Sequence, residues 1–320
     1  MPVVTITFSP CIDKCTSVPA LLPDKKLQCS MPQLSAGGGG INVARAITRL
    51  GGKAEAIFPA GGYHGALLQQ MMQAEEVPST VIAAASDTRE NIMVWDELNK
   101  QQYRLGMPGS VLTEKECQAC LAAVTAQAVG GFLVASGSLP PGVPPDVFAQ
   151  LAAIARRKEA RLVVDTKGEA LLHAVKEGVY MIKPNLGELC ALAGVERSQG
   201  SDAMDLARQV LNHSRCSIIV VSLGAEGALL VSRTEAYQVP APALKVSSTV
   251  GAGDSMVAGI VYSLQQGQSL QSALQYGVAC GSAATLHPGA MLCTRADADR
   301  LYASIRQQKT PPNSAPISVS

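Results

Sequence analysis

The stretch S-S-T-V-G-A-G-D-S-M-V-A-G, Ser247 to Gly259, sets one carboxylate between two glycines and a long apolar helical pattern. If a helix begins near Ala252 to Asp254, the amides of Val250–Asp254 are free donors aimed out of its end, a setting that attracts an anion. Gly251 and Gly253 let the backbone approach a ligand with no Cβ in the way. Asp254 can then take a proton from a substrate hydroxyl and make its oxygen a nucleophile. The competing reading is structural, with Asp254 only capping the helix. Spacing alone does not separate the two.

A second cluster, S-A-G-G-G-G-I-N from Ser35 to Asn42, precedes a predicted helix over Asn42–Leu50. Four glycines in a row are costly in backbone entropy. Close approach of Gly38 and its neighbours to a polar ligand accounts for them better than a plain linker. Asn42 can donate and accept toward hydroxyls there. Asp13 stands just past the first predicted strand, at the carboxyl edge where open α/β sheets bind ligands; alone it reads equally as a turn residue. In K-P-N-L-G-E, Lys183 to Glu188, the N-x-x-E spacing of Asn185 and Glu188 fits a capping box. It also fits a pair that holds water on a phosphate-bridging divalent metal. V-V-S-L-G-A-E-G-A, Val220 to Ala228, ends a strand in a glycine turn that could seat a nucleotide or only join two strands.

The usual nucleotide signatures are missing. The chain has no G-x-x-x-x-G-K-[ST], and its first strand runs into S-P-C-I-D instead of a glycine-rich dinucleotide turn. A phosphate site must be built another way. The C-x-x-C pair Cys117 and Cys120 has no second pair nearby, so two helical thiols are expected there, not zinc or redox chemistry.

These residues need a scaffold, and the pattern around them supplies one. Short aliphatic runs at Val3–Phe8, Ala54–Pro59, Phe132–Ala135, Arg161–Asp165, Tyr180–Lys183 and Ser217–Ser222 read as strands buried on both faces. Helical segments alternate with them: Ala66–Gln73, Glu114–Gln127, Pro145–Arg157, Glu169–Glu177 and Ala203–Asn212, after Asn42–Leu50. The last third adds Gly253–Gln266, Leu270–Leu286 and Ala296–Gln308. Such repetition predicts an α/β fold with a mostly parallel sheet covered by helices. Segments 14–35 and 88–106 break the rhythm as short exposed strands, and are expected to rise from the sheet as a lid. The Pro- and Ser-rich tail, Thr310–Ser320, is expected to be disordered.

Composition limits the partners. Of 320 residues 47% are hydrophobic and 16% charged, with a net charge of +1. Nucleic-acid and membrane surfaces call for a basic field, and none is present. No run reaches the length of a membrane span, and nine scattered cysteines fit a reducing, cytoplasmic setting.

Taken together, these segments resemble the ribokinase-like (PfkB) family of carbohydrate kinases. The carriers are G-G-G-G-I-N-V-A-R-A, K-P-N-x-x-E, S-L-G-x-x-G and, most specific, S-T-V-G-A-G-D-S-M, in family order from about Val3 to about residue 305. The resemblance implies one ribokinase-like domain over 1–308 with a small β-sheet lid. It implies ATP-dependent phosphorylation of fructose 6-phosphate at its C1 hydroxyl, with tagatose-6-phosphate kinase or 1-phosphofructokinase activity as alternatives. A sugar-phosphate sensor on a kinase scaffold is the non-enzyme alternative, and an intact Asp254 argues against it.

By position, Asp254 matches the family's base, and Gly251, Ala252 and Gly253 match its anion hole. Asp13, Gly38 and Asn42 match sugar contacts, with Arg89 and Ser138 near the sugar phosphate. ATP would meet Lys26, Lys183, Asn185, Ser222, Gly224 and Gly227, with Val278 and Ser282 near the adenine. Glu188 would stand in the outer shell of Mg²⁺. The carbonyls of Ser248, Val250, Ala284, His287 and Gly289 match a site for a monovalent cation, usually K⁺. Gln28 stands where an arginine near the sugar phosphate is expected, and Lys14 is the nearby charge that could replace it. A homodimer through the lid is implied as well.

Overall fold

Among the described residues nine strands form the main sheet, in the order β13-β12-β11-β10-β9-β8-β1-β4-β5. They are β1 (Val3–Ile6), β4 (Ala54–Ala60), β5 (Ser79–Ala83), β8 (Phe132–Ser136), β9 (Arg161–Asp165), β10 (Met181–Ile182), β11 (Ile218–Ser222), β12 (Ala228–Ser232) and β13 (Ala236–Val239). The computed structural model describes residues 2–127, 130–196 and 202–307, so Thr310–Ser320 and Gln308 lie outside the described residues. From β5 to β11 every pairing is parallel, and only the β11–β12 and β12–β13 pairings at one edge are antiparallel. The centre of this sheet is fully buried, as strands made of V-V-T-I and F-L-V-A-S require.

Helices cover both faces. Against one lie α1 (Gly39–Arg49), α8 (Ala252–Gln265), α9 (Leu270–Thr285) and α10 (Arg295–Gln307), whose side chains share a core with Phe58, Val134 and Val220. Against the other lie α3 (Glu114–Ala126), α4 (Val147–Arg157), α5 (Glu169–Glu177), α6 (Leu186–Ala193) and α7 (Ala203–Asn212). Cys117 and Cys120 sit in that second core, and burial pushes the Cys120 thiol up to about 12, so both are packing groups. The remaining helix, α2 (Gly62–Ala74), follows β4.

The lid is a separate four-stranded sheet, β3-β2-β6-β7, made from β2 (Cys11–Val18), β3 (Gln33–Gly37), β6 (Arg89–Asp96) and β7 (Gln101–Leu105). These strands fall within or beside the two segments that broke the β-α rhythm. Strand β2 pairs in parallel with β6, with Cys11 opposite Arg89 and Asp13 opposite Asn91. That register puts Asp13, Arg89 and Asn91 on one face. Asp13 therefore belongs to the lid, not to the rim of the main sheet.

Three local expectations need correction. Helix α1 starts at Gly39, three residues before Asn42, because the glycine run is part of its first turn. Strands β5, β12 and β13 have no counterpart among the six predicted runs, although the glycine turn after Ser222 was open to joining two strands and does join β11 to β12. The glycines of the run meet protein atoms first. A Cβ on Gly39 would come within 2.3 Å of Ser136 Oγ, and one on Gly40 within 2.5 Å of the Ile6 carbonyl. Their smallness lets the start of α1 rest directly on the ends of β1 and β8.

Candidate active site

Helix α8 opens on Gly251, whose φ of 75° needs a residue without a Cβ. Gly251 is the N-cap, so Asp254 is the third residue of the helix and its side chain caps nothing. The reading of Asp254 as the cap of this helix is thereby set aside. Its Oδ2 instead accepts a hydrogen bond of 2.9 Å from Asn42 Nδ2, on α1.

Asp254 is partly buried, and loss of water around its carboxyl together with the nearby charge of Asp165 pushes its pKa up to about 6. Asn42 and Lys183 counteract that rise in part, while Asp13 adds to it. The amides beside it are less uniformly free than the sequence suggests. Val250 donates to Ser248 Oγ at 3.2 Å and Ala252 to the Thr249 carbonyl at 3.4 Å. Among the described hydrogen bonds, the amides of Gly251, Gly253 and Asp254 have no acceptor, and these remain available to an anion.

Lys183 follows β10 and its ammonium group reaches the same place. A Cβ on Gly253 would lie 3.5 Å from Lys183 Nζ. Burial alone would lower its pKa, but Asp165, Asp254 and Glu188 more than offset this and hold it charged. The nearest of them, Asp165 at the end of β9, contacts Nζ at 3.2 Å. Asp165 was not singled out from sequence, because an aspartate ending a strand before T-K-G looks like any turn residue.

The N-x-x-E pair forms the capping box of α6. Asn185 Oδ1 accepts from the Glu188 amide at 2.9 Å, and Glu188 Oε2 accepts from the Asn185 amide at 2.9 Å. This leaves Glu188 Oε1 with no described bond. A bridge between Asn185 and Ser222 joins K-P-N to S-L-G. The glycine turn after Ser222 is the β11–β12 connection. Gly227 is required there by contact, since a Cβ would stand 2.0 Å from the Val239 carbonyl, whereas Gly224 has open space around it. Val278 is sealed in the core of α9, and the fold does not bring it to an open surface; Ser282 lies one turn further on the same helix.

On the lid side, Asn91 Nδ2 donates to Asp13 Oδ1 at 3.0 Å, and Arg89 Nη1 donates to Asn91 Oδ1 at 3.2 Å. Asn91 thus orients both, and nothing in its sequence context marked it. Arg89 Nε and Ser9 Oγ are buried without a partner among the described residues. An unpaired guanidinium donor fits an arriving anion. Ser138, half-buried after β8, follows Gly137, whose amide is held by the Asp165 carbonyl at 2.9 Å. Lys26 and Gln28 lie exposed between β2 and β3, away from any described partner. Lys14 does not supply a spare charge, because its ammonium pairs with Glu90 at 2.8 Å.

Of the segments that bear the carbonyls named for a monovalent cation, the turn before α8 is bonded to the end of α9: the amides of Ser247 and Ser248 donate to the Thr285 carbonyl at 2.8 and 3.4 Å. His287 turns its ring to Asp297 at 3.1 Å, which leaves its carbonyl independent of the side chain. The lid grips the same turn: Gln102 Nε2 bonds Ser248 Oγ at 3.3 Å and Arg104 Nη2 bonds Thr249 Oγ1 at 2.5 Å. A cavity of about 830 Å³ opens beside it, between Met93 and Trp95 of the lid and Lys245–Ser247. Asp254 does not line that cavity; the acid faces Asn42 and Lys183 instead.

The arrangement is one acid able to accept a proton, one buried cation and three bare amides at a single helix end. Comparison with known proteins agrees with that chemistry. The pattern of the pfkB family carbohydrate kinases matches residues 4–297. The ATP-dependent 6-phosphofructokinase isozyme 2 of Escherichia coli (strain K12) is 43% identical over 302 residues, covering 94% of this chain and 98% of that protein. Crystal structures of the E. coli phosphofructokinase-2 superpose with it. The fructose-6-phosphate complex gives a TM-score of 0.90 at 41% identity, covering 96% of this chain and 99% of that one. The potassium complex gives 0.91 at 42%, with the same coverage of both chains.

Proposed function

The chain belongs to the pfkB family of carbohydrate kinases, and from that premise we propose that it uses ATP to phosphorylate the C1 hydroxyl of fructose 6-phosphate. The product is fructose 1,6-bisphosphate, a step of glycolysis. The observation that carries this reading is Asp254, held by Asn42 beside the unpaired amides of Gly251 and Gly253 in a chain so similar to a 6-phosphofructokinase.

Asp254 takes the C1 hydroxyl proton, and that oxygen attacks the γ-phosphorus in line with the leaving ADP oxygen. Charge gathers on the transferring group's equatorial oxygens. The amides of Gly251, Gly253 and Asp254 and the Lys183 ammonium face it with fixed positive charge. Asp13, Gly38 and Asn42 hold the sugar, while Arg89 offers its unpaired Nε to the 6-phosphate, with Ser138 nearby. Asn185, Ser222 and Gly224 take the nucleotide. Mg²⁺ would travel with ATP, with Glu188 Oε1 in its outer shell, and would neutralise phosphate charge. The carbonyls of Ser248, Val250, Ala284, His287 and Gly289 suit K⁺, which accepts oxygen donors of this kind.

The direct test is an ADP-release assay across fructose 6-phosphate, tagatose 6-phosphate, fructose 1-phosphate and unphosphorylated hexoses. Fructose 6-phosphate is expected to give the highest kcat/KM; an equal value for an unphosphorylated hexose would overturn the substrate class. A second outcome concerns pH. A protonated Asp254 cannot accept the hydroxyl proton, so kcat/KM should fall about tenfold per pH unit below about 6 and level off above it. A flat profile between pH 5 and 7 would remove Asp254 as the base.

We assign the acting form to a homodimer. The outward lid face carries Leu34, Tyr103 and Leu105, which are 42%, 37% and 50% exposed, beside Ile92 and Val94. A small sheet with so apolar a face gains from covering it with a second copy. Sedimentation at micromolar concentration should show a dimer, and Leu105→Glu should shift it to monomer; a monomeric wild type would refute the assignment. No helix among the described residues is long and apolar enough to cross a membrane. All nine cysteines are free thiols, which supports action in the reducing cytoplasm.

A further inference from the structure

Arg45 lies on α1 one turn beyond Asn42, yet its side chain is only 3% exposed. A guanidinium withdrawn from water to that extent needs a full set of acceptors. Nε donates to Glu75 Oε1 at 3.0 Å and Oε2 at 3.1 Å, and Nη2 donates to Oε1 at 2.5 Å. Nη1 donates to the Ala36 carbonyl at 2.5 Å and to Asn42 Oδ1 at 3.2 Å. Glu75 follows the last turn of α2 and is shared with Arg49 at 3.1 Å. Burial would raise its pKa, but the two arginines more than offset this and keep it ionised.

The geometry decides which way the Asn42 amide faces. A guanidinium has donors and no acceptor, so only the Asn42 oxygen can meet Arg45. The nitrogen is then left to donate to Asp254 Oδ2 at 2.9 Å. With the amide reversed, its oxygen would meet the carboxylate and its nitrogen the guanidinium, two repulsive contacts in place of two bonds. Because Asn42 occupies Oδ2, Oδ1 is the carboxylate oxygen left for a substrate hydroxyl.

We propose that Arg45, anchored by Glu75, is a positioning residue for phosphoryl transfer: it locks the Asn42 amide so that Asp254 presents one defined oxygen to the sugar hydroxyl. Arg45 touches neither substrate nor reacting atoms in this scheme. It works through Asn42, and its anchor lies outside the site, at the end of α2. The inference rests on Asp254 acting as the base.

A double-mutant cycle tests it, with kcat, both KM values and Tm measured for Arg45→Met, Asn42→Ala and the pair. Arg45→Met is expected to lower kcat by roughly tenfold to a hundredfold with the KM for ATP unchanged, the penalty for a misplaced reacting group. In the Asn42→Ala background the same change should have little further effect, since the amide it orients is gone. Multiplying effects, or an unchanged kcat in Arg45→Met, would overturn the proposal. Should Arg45→Met fail to fold, Glu75→Gln replaces it, because it leaves Arg45 in place, keeps the length of its anchor and takes away only one acceptor oxygen and the charge. It should lower kcat about threefold or more in wild type and not in Asn42→Ala; equal loss in both backgrounds would refute the coupling. Full turnover in Asp254→Asn would instead refute the underlying base assignment, whatever the cycle gives.

Discussion

Asp254→Asn is expected to lower kcat by about 10³-fold or more, the order lost when a positioned general base is removed. Binding of fructose 6-phosphate and ATP, read by calorimetry, should stay within a few-fold of wild type, because the amide keeps the shape of the acid. The same substitution should raise Tm. Asp254 has its folded pKa raised to about 6 against an ordinary 3.8, so ionising it opposes folding. That penalty is absent below about 3.8, grows between there and about 6, and is fully present at neutral pH. Removing the charge relieves on the order of 2–3 kcal/mol at pH 7. Lower activity with higher stability is a paired signature of a group placed for chemistry. Wild-type turnover, or a fall in Tm alongside the lost activity, would contradict this account.

Gly253→Ala separates folding from chemistry in the other direction. A methyl group there meets nothing closer than Lys183 Nζ at 3.5 Å, an ordinary contact, and helix interiors favour alanine over glycine. Tm should therefore hold or rise slightly. On the proposed mechanism, the methyl group would stand beside a bare amide where the transferring phosphoryl group settles. Losing close approach at such a donor set is expected to reduce kcat by about 10²-fold. Gly251→Ala would be a poorer test, since its φ of 75° and a Cβ 2.7 Å from Leu292 bring backbone strain as well. A fully active Gly253→Ala enzyme would move the anion site away from the start of α8.

The sequence showed most clearly what is local and repeated. The buried strands read directly from β-branched runs, and V-G-A-G-D marked the helix end because its glycines and acid are adjacent. Residues whose meaning lies in distant partners were harder to read. Asp165 gains its role only when β9 lies beside β10 and brings it to Lys183. Arg45 looks like an ordinary helix-surface cation until α2 supplies Glu75. Asn91 is one more polar residue in a lid strand until β2 sets Asp13 opposite it. The four glycines were noticed as unusual, but their packing against Ser136 and Ile6 depends on two strand ends far apart in the chain. The antiparallel strands β12 and β13 are hard to read for the same reason: such a strand is defined by the neighbour it pairs with.

The lid's grip on the turn before α8 has a consequence for how such an enzyme can change. Gln102 and Arg104 hold the hydroxyls of Ser248 and Thr249, two residues that open the segment carrying Asp254, the proposed base. The lid strands, proposed to meet the sugar, and the turn before α8, proposed to ready the phosphoryl transfer, are therefore mechanically one part. Exchanging the lid for that of another kinase, to admit another sugar, would strip the turn of both restraints unless residues 248 and 249 were exchanged with it. On the proposed roles, substrate range and catalytic power would be inherited together, and a graft that respects only the boundary of the small sheet cuts through the joint between them.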